Sequence, residues 1–437
     1  MQVNSCDVVV LGAGFGGLSF CQAFRHPRAR VTVVDRQNHH LFQPLLYQVA
    51  TAGLSATEIA QPIRAILRDQ PGTTVLMDSV VDVRLAQREV VLAEQTLRYD
   101  YLVIALGGVT SYFGHCEWET YAPGLKSIDD ALRIRRQILL AFERAETHKD
   151  AAARRRSMTI VIVGGGPTGV ELAGACAELA RHVLRRDFRR TDPAQARVVL
   201  IEAAPRVLGH LPEELSSKAQ AQLEALGVEV RCGCGVRSIV EGKLELEDGA
   251  VIESASIIWA AGVAANPILR KLGLALDRGG RVEVGPDLSV PGHPEVFAIG
   301  DNALVNRGNG RPVPGVSPVA IQEARHVARL IEAELSSPLL EPTQRPPFRY
   351  RDRGTMATIG RSAAVALIGR RQFSGFPAWI LWLVIHLLFL IGFRNKLAVL
   401  LQWGYSYLTY GRGARIIIGV PTRDSEALRQ VSPRSTG

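Results

Sequence analysis

The chain lacks the side chains on which many enzymes build disulfide or metal chemistry. Its six cysteines include no Cys-x-x-Cys pair, and Cys232-Gly-Cys234 is a poor metal chelate without a histidine nearby. No haem or iron–sulfur motif is present. We therefore expect structural thiols, no active-site disulfide and no metal ion.

Acidic residues are outnumbered, with 42 Asp and Glu against 51 Lys and Arg, and the formal net charge is +9. Much of the basic excess lies in short clusters at 154–156, 185–186, 189–190 and 370–371. The plain interpretation is solvated surface, and the alternatives are contact with anionic lipid headgroups or with nucleic acid. Because no nucleic-acid-binding module is recognisable and the clusters lack interleaved aromatic residues, we expect no nucleic-acid partner.

We also expect no signal peptide, because Met1–Asp7 has no basic region and the apolar run that follows leads into glycines. We therefore expect the body of the protein in the cytosol. A length of 437 residues with 41 glycines and a hydrophobic fraction of 47% predicts an α/β protein of two or three domains.

The first strong pattern is a complete βαβ unit at the N-terminus. Asp7–Leu11 reads as a buried strand that leads into Gly12-Ala-Gly14-Phe15-Gly16-Gly17, and a helix is predicted to about Phe24. A second strand, Val31–Val34, ends on Asp35. Glycines at such a turn let a pyrophosphate approach the backbone, and a carboxylate after the second strand can accept both hydroxyls of an adenosine ribose. The unit therefore predicts a dinucleotide site.

The same arrangement recurs in the middle of the chain. The apolar run Val161–Val163 leads into Gly164-Gly-Gly166-Pro167-Thr168-Gly169, a helix is predicted through Leu172–Arg181, and the strand Arg197–Ile201 ends on Glu202. An acid at that position repels a 2′-phosphate, so the pattern favours NADH over NADPH.

Apolar strands that end in small residues follow each unit, at Tyr99–Gly108 and at Ile257–Val263. A later strand, Glu295–Ile299, precedes Gly300-Asp301, and an aspartate there can bind ribityl hydroxyls. The first unit is thus interrupted by the second and then completed, which is the plan of flavoproteins with two dinucleotide-binding domains. We predict an α/β fold in which a Rossmann-like FAD domain is interrupted by a Rossmann-like NADH domain and followed by a C-terminal membrane-anchoring helical segment. The predicted boundaries are 1–125 and 276–335 for the FAD domain, 126–157 for a helical connector, 158–275 for the NADH domain and 345–437 for the membrane-association domain.

Three smaller segments also receive assignments. Thr74–Leu97 reads as a small β-meander, Ala151–Arg156 as a linker, and Leu223–Val230 as part of a sheet.

The tail has a different composition. Phe376–Phe393 is uncharged if His386 is neutral, and its length is at the lower limit of a membrane span. A buried core helix, a single transmembrane helix, and two helices lying in one leaflet are the alternatives. We favour the two helices, because Gly392–Lys396 interrupts the apolar run before a shorter one, Leu397–Trp403. The tyrosines at 405–410 and the arginines beyond them suit a headgroup layer.

These features together resemble the type II NADH:quinone oxidoreductases, single-subunit NADH dehydrogenases that do not pump protons. The resemblance covers nearly the whole chain. Its most specific parts are Phe42-Gln-Pro-Leu-Leu-Tyr-Gln48 and the tail from Arg349-Tyr-Arg-Asp-Arg-Gly-Thr-Met-Ala-Thr. A membrane-seeking tail and the missing cysteine pair agree with a lipid-soluble acceptor, a quinone.

The resemblance implies roles for particular residues. The implied FAD contacts are Gly12, Gly14, Phe15, Gly16, Gly17, Asp35, Arg36, Pro44, Leu45, Gln48, Val81, Gly107 and Asp301. The implied NADH contacts are Gly164, Gly166, Pro167, Thr168, Gly169, Glu202, Ala261 and Gly262. Glu171 is implied to relay protons or to orient the nicotinamide, and its plain alternative is an ordinary glutamate in the first turn of a helix.

The quinone segment departs from the family pattern. That pattern often reads Ala-Gln-x-Ala-x-Gln, whereas this chain has Ser317-Pro318-Val319-Ala320-Ile321-Gln322. Because proline cannot replace the side-chain hydrogen bond of the first glutamine, the implied quinone contacts are Gln322, Ile321, Gln48, backbone and water.

The resemblance therefore implies hydride transfer from NADH to FAD and electron transfer to a membrane quinone. It also implies a homodimer bound peripherally to an anionic membrane surface, at the cytoplasmic face of the inner (plasma) membrane. The alternatives are a sulfide:quinone oxidoreductase, which needs reactive cysteines near the flavin, and a nucleotide-sensing membrane-associated protein without turnover.

Overall fold

The first of the two larger sheets is built from both halves of the chain, and its strands are parallel except for the edge strand Ser289–Val290. Cys6–Leu11 pairs in parallel with Ala29–Asp35 on one side and with Tyr101–Ile104 on the other. His293–Ala298 then pairs with Tyr101–Ile104, so the prediction that a late strand completes the first unit is confirmed. This computed structural model describes residues 5–306, 312–337, 344–409 and 411–418.

The second sheet lies wholly within the inserted segment. Its strands are, in spatial order, Val228–Cys232, Arg197–Glu202, Thr159–Val163 and Ser256–Trp259, all parallel. A two-stranded antiparallel ribbon, Gly108–Thr110 with Val263–Ala265, joins the two units. The predicted α/β class is confirmed, and the domain boundaries stay predictions.

Helices cover the faces of these sheets. Ile128–Thr147 begins at a capping box, in which the Ser127 hydroxyl accepts from the N–H of Asp130 and the Asp130 carboxylate accepts from the N–H of Ser127. The other helices of eight or more residues before the tail are Phe15–Ala23, Pro167–Glu178, Glu213–Ala225 and Ser317–Ser336. The short ones are Leu46–Ala50, Ala56–Ile59, Ile63–Ile66 and Ala151–Ser157, and a π-helical turn, Leu179–Val183, continues Pro167–Glu178.

Three sequence assignments are wrong in part. Residues 151–156 are helical rather than a linker, because alanine and arginine favour a helix and the Asp150 carboxylate accepts the N–H of Ala153 at 2.7 Å. Leu223 lies in Glu213–Ala225, since the left-handed Gly227 (φ +76°) ends that helix just before the strand.

The third error concerns the predicted meander. Thr73–Met77 pairs in parallel with Ala29–Asp35 and extends the first sheet. The meander itself consists of Val80–Arg84, Glu89–Leu92 and Thr96–Arg98. Composition could not separate the first strand from the others, because the difference lies in which neighbour each strand meets.

The C-terminal part packs on the second unit through a small sheet. Thr355–Gly360 crosses the helix Pro167–Glu178 so closely that a Cβ at Gly174 would lie 1.5 Å from the carbonyl oxygen of Ile359. The neighbouring strands are Ala363–Ile368 and Arg371–Ser374. Other short strands are His39–Leu41, Ala60–Pro62, Val236–Val240, Lys243–Leu246, Val251–Glu253, Val282–Glu283, Ser289–Val290 and Ala303–Leu304.

The tail forms two helices, Phe376–Phe389 and Phe393–Thr409, with the left-handed Gly392 (φ +85°) between them. Within the described residues, no helix has the length and apolarity needed to cross a membrane. The two helices lie where the sequence predicts a pair, and their role as a membrane anchor and their position in a leaflet stay predictions. Exposed side chains of the first helix, such as Leu388, do not favour the interpretation as a buried core helix. Residues 1–4 and 307–311 of the predicted FAD domain lie outside the described residues, and so do Tyr410 and residues 419–437 of the predicted membrane-association domain.

Candidate functional site: two glycine turns and an aromatic cluster

The first glycine turn leaves open space where a phosphate would approach. Gly12 has φ +94°, and a Cβ there would lie 2.4 Å from the carbonyl oxygen of Ala105. A Cβ at Gly17 would lie 1.8 Å from the carbonyl oxygen of Gly12, so both positions require glycine. A Cβ at Gly14, in contrast, would have nothing within 4 Å. The middle glycine therefore faces free space at the N-terminus of Phe15–Ala23, which is where a pyrophosphate binds in this motif.

The second glycine turn repeats this geometry. Gly164 has φ +111°, and its Cβ would lie 2.6 Å from the backbone of Ala260. A Cβ at Gly169 would again lie 1.8 Å from the carbonyl oxygen of the first glycine, and one at Gly166 would again have nothing within 4 Å. Two turns of one chain thus offer the same pyrophosphate cradle.

The acid of each unit is directed at its own turn. Asp35 accepts the N–H of Ala13 at 2.7 Å, and Glu202 accepts the N–H of Gly165 at 2.5 Å. Ala13 and Gly165 occupy equivalent positions, each directly after the first glycine of its turn. The carboxylates therefore lie at the mouth of each turn, where a ribose attached to the pyrophosphate would meet them.

Asp301 lies against the end of the first sheet, as its position after the late strand predicts. Its Oδ2 lies 2.9 Å from the position of a Cβ at Gly108, and the Asn302 amide donates to the carbonyl of Gly107 at 2.9 Å. Beneath this loop, the buried Glu323 accepts the N–H of Gly300 at 2.6 Å. Burial raises the pKa of Glu323 to about 7, against the opposing effect of that hydrogen bond.

Glu171 is buried between the second unit and the tail. Its Oε1 accepts the indole N–H of Trp382 at 3.2 Å and the backbone N–H of Thr358 at 3.3 Å. Burial raises the pKa of Glu171 to about 8, although these two donors act in the opposite direction. Burial therefore favours the protonated form of Glu171. As the fifth residue of Pro167–Glu178, Glu171 also lies beyond the first helical turn, unlike the plain alternative expected from the sequence.

Aromatic side chains from both ends of the chain surround this carboxyl group. Trp382 stacks on His386 with ring centroids 4.1 Å apart, and Tyr47 meets Trp382 at 6.4 Å. Burial lowers the pKa of His386 to about 4, so its imidazole is neutral at physiological pH. We call Phe42, Tyr47, Trp382, His386 and Trp403 the aromatic cluster.

The aromatic cluster reaches the first glycine turn. Phe42 contacts His386 on one side (6.3 Å between centroids) and Phe15 on the other (5.8 Å). Gln48 joins it through two hydrogen bonds: it donates to the Tyr47 hydroxyl at 2.9 Å and accepts the Trp403 indole N–H at 2.8 Å. A continuous set of rings thus links the first turn to Glu171, beside the second turn.

The remaining predicted cofactor contacts lie as follows. Pro167 and Thr168 begin the helix after the second turn, and Ala261 and Gly262 follow Ser256–Trp259 at the same edge of the sheet. Leu45 is fully buried and Pro44 half-buried, whereas Arg36 and Val81 are exposed. Gly16 packs near Ile299.

Gln322 and Ile321 lie on Ser317–Ser336. The Gln322 amide donates to the carbonyl of Arg351 at 3.1 Å and accepts its N–H at 3.0 Å. Among the described residues no hydrogen bond joins Gln322 to Gln48, so the structure does not show the two predicted quinone contacts in one hydrogen-bonded network.

Sequence reasoning missed Trp382, Trp403 and Phe113. Phe113 has φ +52°, is 67% exposed, and its ring lies 2.7 Å from the position of a Cβ at Gly262. A left-handed conformation at a bulky residue is rare and often marks a functional position, but no sequence signal announces it. From the sequence, Trp382 and Trp403 could be assigned only to the apolar tail, as aromatic residues suited to a membrane interface.

The thiols do not assemble into a reactive site. All six cysteines are free, and burial raises the pKa of Cys21 and Cys176 to about 12. Among the described residues no group of His, Cys, Asp and Glu could hold a metal ion.

Comparison with known proteins agrees with this geometry. Residues 6–324 match the model of the pyridine nucleotide-disulphide oxidoreductase family. The chain is 46% identical over 418 residues to the type II NADH:quinone oxidoreductase Ndh of Mycobacterium tuberculosis. The aligned residues cover 93% of this chain and 89% of that protein. The chain belongs to the type II NADH:quinone oxidoreductase family.

A second relative and two solved structures also resemble this chain. NdhA of the same organism, also a type II NADH:quinone oxidoreductase, is 44% identical and covers 94% of the chain and 89% of that protein. The fold is shared with NDH2 from Plasmodium falciparum in complex with NADH (TM-score 0.86, 20% identity, 95% of this chain and 100% of that one). The sulfide:quinone oxidoreductase of Aquifex aeolicus has a related fold (TM-score 0.71, 16% identity, 90% and 92% covered).

Proposed function

We propose that the chain is a membrane-associated flavoenzyme that oxidises NADH through FAD and passes two electrons to a quinone without pumping protons. The observation that carries this proposal is the paired geometry of the glycine turns, each with its acid bonded to the residue after the first glycine. Relatives named NADH:quinone oxidoreductases, at 44–46% identity over most of the chain, support the same reaction.

FAD fits the first turn, because Asp35 bonds to that turn and Asp301 lies near Gly108 at the end of the same sheet, so that the two carboxylates suit its ribose and ribityl hydroxyls. NADH fits the second turn, because the Glu202 carboxylate disfavours a 2′-phosphate and the space around Gly166 is open. The flavin supplies the two-electron chemistry when bound. The chain aligns the two cofactors, since the ribbon of Gly108–Thr110 with Val263–Ala265 fixes the units relative to each other.

Glu171 is proposed to hold a proton for the reaction. Its carboxyl is protonated below about pH 8 and lies among the rings that connect the two turns. Gln48, in the aromatic cluster, is the proposed quinone contact that the geometry supports best, because its amide and the surrounding rings suit a flat, weakly polar ligand. Ile321 and Gln322, which lie on the helix Ser317–Ser336, remain proposed quinone contacts.

The tail is proposed to bind the cytoplasmic face of the inner (plasma) membrane as a peripheral element, and the protein to form a homodimer. The exposed apolar side chains of the two tail helices support the first of these proposals.

Stopped-flow absorbance tests the reaction directly. NADH should bleach the flavin of the holoenzyme, and a short-chain quinone should restore its absorbance within one turnover. Bleaching that no quinone reverses would rule out the quinone assignment. Failure of NADH to bleach the flavin would favour a sensor without turnover.

Two glycine variants test which turn holds which cofactor. Because a Cβ at Gly14 or Gly166 meets nothing within 4 Å, both Gly14→Ala and Gly166→Ala should fold. Gly14→Ala should be purified with a reduced flavin content. Gly166→Ala should keep its flavin and raise the KM for NADH by about tenfold, as expected for one lost close approach worth about 1.4 kcal/mol. The reverse pattern would exchange the two assignments.

A further inference from the structure

A groove of about 670 Å³ lies between the helix Ser317–Ser336 and the segment 345–353, outside the two glycine turns. Arg325 and Arg329 line one wall, one helical turn apart. Arg349, Arg351 and Arg353 line the other wall. We call this the arginine groove. Gln322, a proposed quinone contact, borders the groove, but none of its arginines has a role in the proposed electron-transfer reaction.

The guanidinium groups of the arginine groove are not neutralised by neighbouring acids. All five arginines are exposed, and none forms a side-chain ion pair with another described residue. Arg345, which also lines the groove, shows the contrast: it is buried and pairs with Glu334 at 2.5 Å and Asp287 at 3.0 Å. Those two ion pairs use Asp287 and Glu334, and the lining side chains of the walls carry a positive charge, with Asp352 as the one acid between Arg351 and Arg353 in the chain. A cleft lined by one sign of charge concentrates the opposite ion.

The floor of the groove combines apolar surface with one polar atom that lacks a partner. Leu330, Pro346 and Phe348 line it. His326, also a lining residue, is 8% exposed, and among the described residues its Nε2 has no hydrogen-bond partner. The Phe348 ring contacts the imidazole at 5.6 Å between centroids. An uncompensated imidazole nitrogen in such a floor indicates that a polar group of a ligand completes it.

We propose that the arginine groove binds an organic phosphate, with the phosphate on the arginine walls and the apolar part on Leu330, Pro346 and Phe348. The planar guanidinium fork matches phosphate oxygens better than it matches a carbonyl or a quinone. The chemistry is that of a phosphate ester, and it comes either from the headgroup of an anionic phospholipid or from a soluble phosphate compound. The glycine turns bind phosphate through backbone N–H groups, so the arginine groove is a separate site.

The test compares the variant Arg325→Gln/Arg329→Gln/Arg349→Gln with a control of equal charge, Arg185→Gln/Arg186→Gln/Arg189→Gln, whose arginines are exposed outside the groove. Holoenzyme with FAD and saturating NAD⁺ is used, so that both glycine turns are filled. In the soluble arm, tripolyphosphate is titrated by calorimetry. In the lipid arm, flotation is compared between pure phosphatidylcholine vesicles and vesicles with one part phosphatidylglycerol to four parts phosphatidylcholine.

The groove variant is expected to lose about tenfold or more in affinity in one of the two arms, since charge-assisted hydrogen bonds to phosphate are strong. The control variant is expected to stay near the wild type. A loss with tripolyphosphate assigns a soluble phosphate, and a loss of phosphatidylglycerol preference assigns a lipid headgroup. Equal behaviour of wild type and groove variant in both arms would overturn the proposal, and so would an equal loss in the control. Melting temperature and NADH:ferricyanide activity should be unchanged in both variants, which shows that they fold.

Discussion

Glu171 is a carboxyl group whose charge the fold solvates poorly. Because burial raises its pKa to about 8 from the ordinary value of 4.5, the folded protein binds a proton at this site that the unfolded chain releases above pH 4.5. Stability therefore falls as the pH rises between these two values, and it falls by up to about 1.4 kcal/mol per pH unit from this group.

Glu171→Gln should remove that dependence. The melting temperature of the holoenzyme, measured by circular dichroism between pH 5 and pH 9, should fall less steeply in the variant than in the wild type. Glu143→Gln, at an exposed position, is the matched control and should keep the slope of the wild type. An unchanged slope in Glu171→Gln would show that the carboxyl group is ionised in the folded state.

Phe113 combines an unfavourable backbone with an exposed ring over Gly262. Phe113→Gly should leave the melting temperature nearly unchanged, since about 1 kcal/mol of relieved strain offsets the added chain entropy of glycine. We expect the KM for NADH to rise severalfold, because the ring packs against Gly262, a proposed NADH contact. Steady-state kinetics with ferricyanide as acceptor measures this without involving quinone binding.

Phe113→Tyr keeps the ring and should retain the KM for NADH of the wild type. If the glycine variant shows no change in KM, Phe113 serves only the packing of the ribbon that joins the two units.

At the scale of elements, the tail helices have two unlike faces. One face buries Ala378, Trp382 and Val399 against the body of the protein. The other presents leucines to solvent, with Leu388 66% exposed and Leu401 64% exposed. Removal of the whole tail would therefore uncover Glu171 as well as remove the proposed membrane contact, so substitutions on the outer face are the sharper experiment.

Leu388→Glu/Leu401→Glu should reduce flotation with lipid vesicles and lower NADH:quinone activity while NADH:ferricyanide activity remains. Each buried leucine contributes roughly 1.5–3 kcal/mol to apolar binding, and a charge adds repulsion from the acyl region. Val240→Glu, at another exposed apolar position far from the tail in sequence, is the control and should change neither. Undiminished flotation of the double variant would place the membrane contact elsewhere.

At the scale of the whole molecule, Arg412 joins three parts of the chain. Its guanidinium pairs with Glu178 at 3.1 Å and donates to the carbonyls of Thr51 at 3.0 Å and Ala175 at 3.4 Å. The arginine follows the tail helices, Thr51 belongs to the first unit, and Glu178 ends the helix of the second glycine turn. This buried pair fixes the tail to both nucleotide units.

Arg412→Met should destabilise the protein by about 3 kcal/mol, because it leaves the Glu178 carboxylate buried without its partner. The double variant Arg412→Met/Glu178→Gln should be more stable than the single variant, and denaturant unfolding of the three proteins measures the coupling. Strictly additive effects would show that the two side chains contribute independently.

The glycine turns, their acids and the interleaved order of strands were predictable because each depends on neighbours within a short stretch. The left-handed φ of Gly12 and Gly164 and the open space at Gly14 and Gly166 follow from a local strand–turn–helix path. The helix at 151–157 was taken for a linker, since a short run of alanine and arginine has no apolar periodicity. The strand Thr73–Met77 was assigned to the meander, since an alternating segment can pair with more than one neighbouring strand.

The sequence alone thus determined two dinucleotide-type turns, the acid that belongs to each, and an apolar tail broken in two. Only the tertiary structure decided which groups share a site: Trp382 reaches Glu171 across 211 positions, and Trp403 reaches Gln48 across 355. It also decided that Glu171 is buried enough to hold a proton near neutral pH, and that five arginines face one groove. The physical reason is that burial and electrostatic environment arise from packing between distant segments, and residue spacing along the chain does not encode that packing locally.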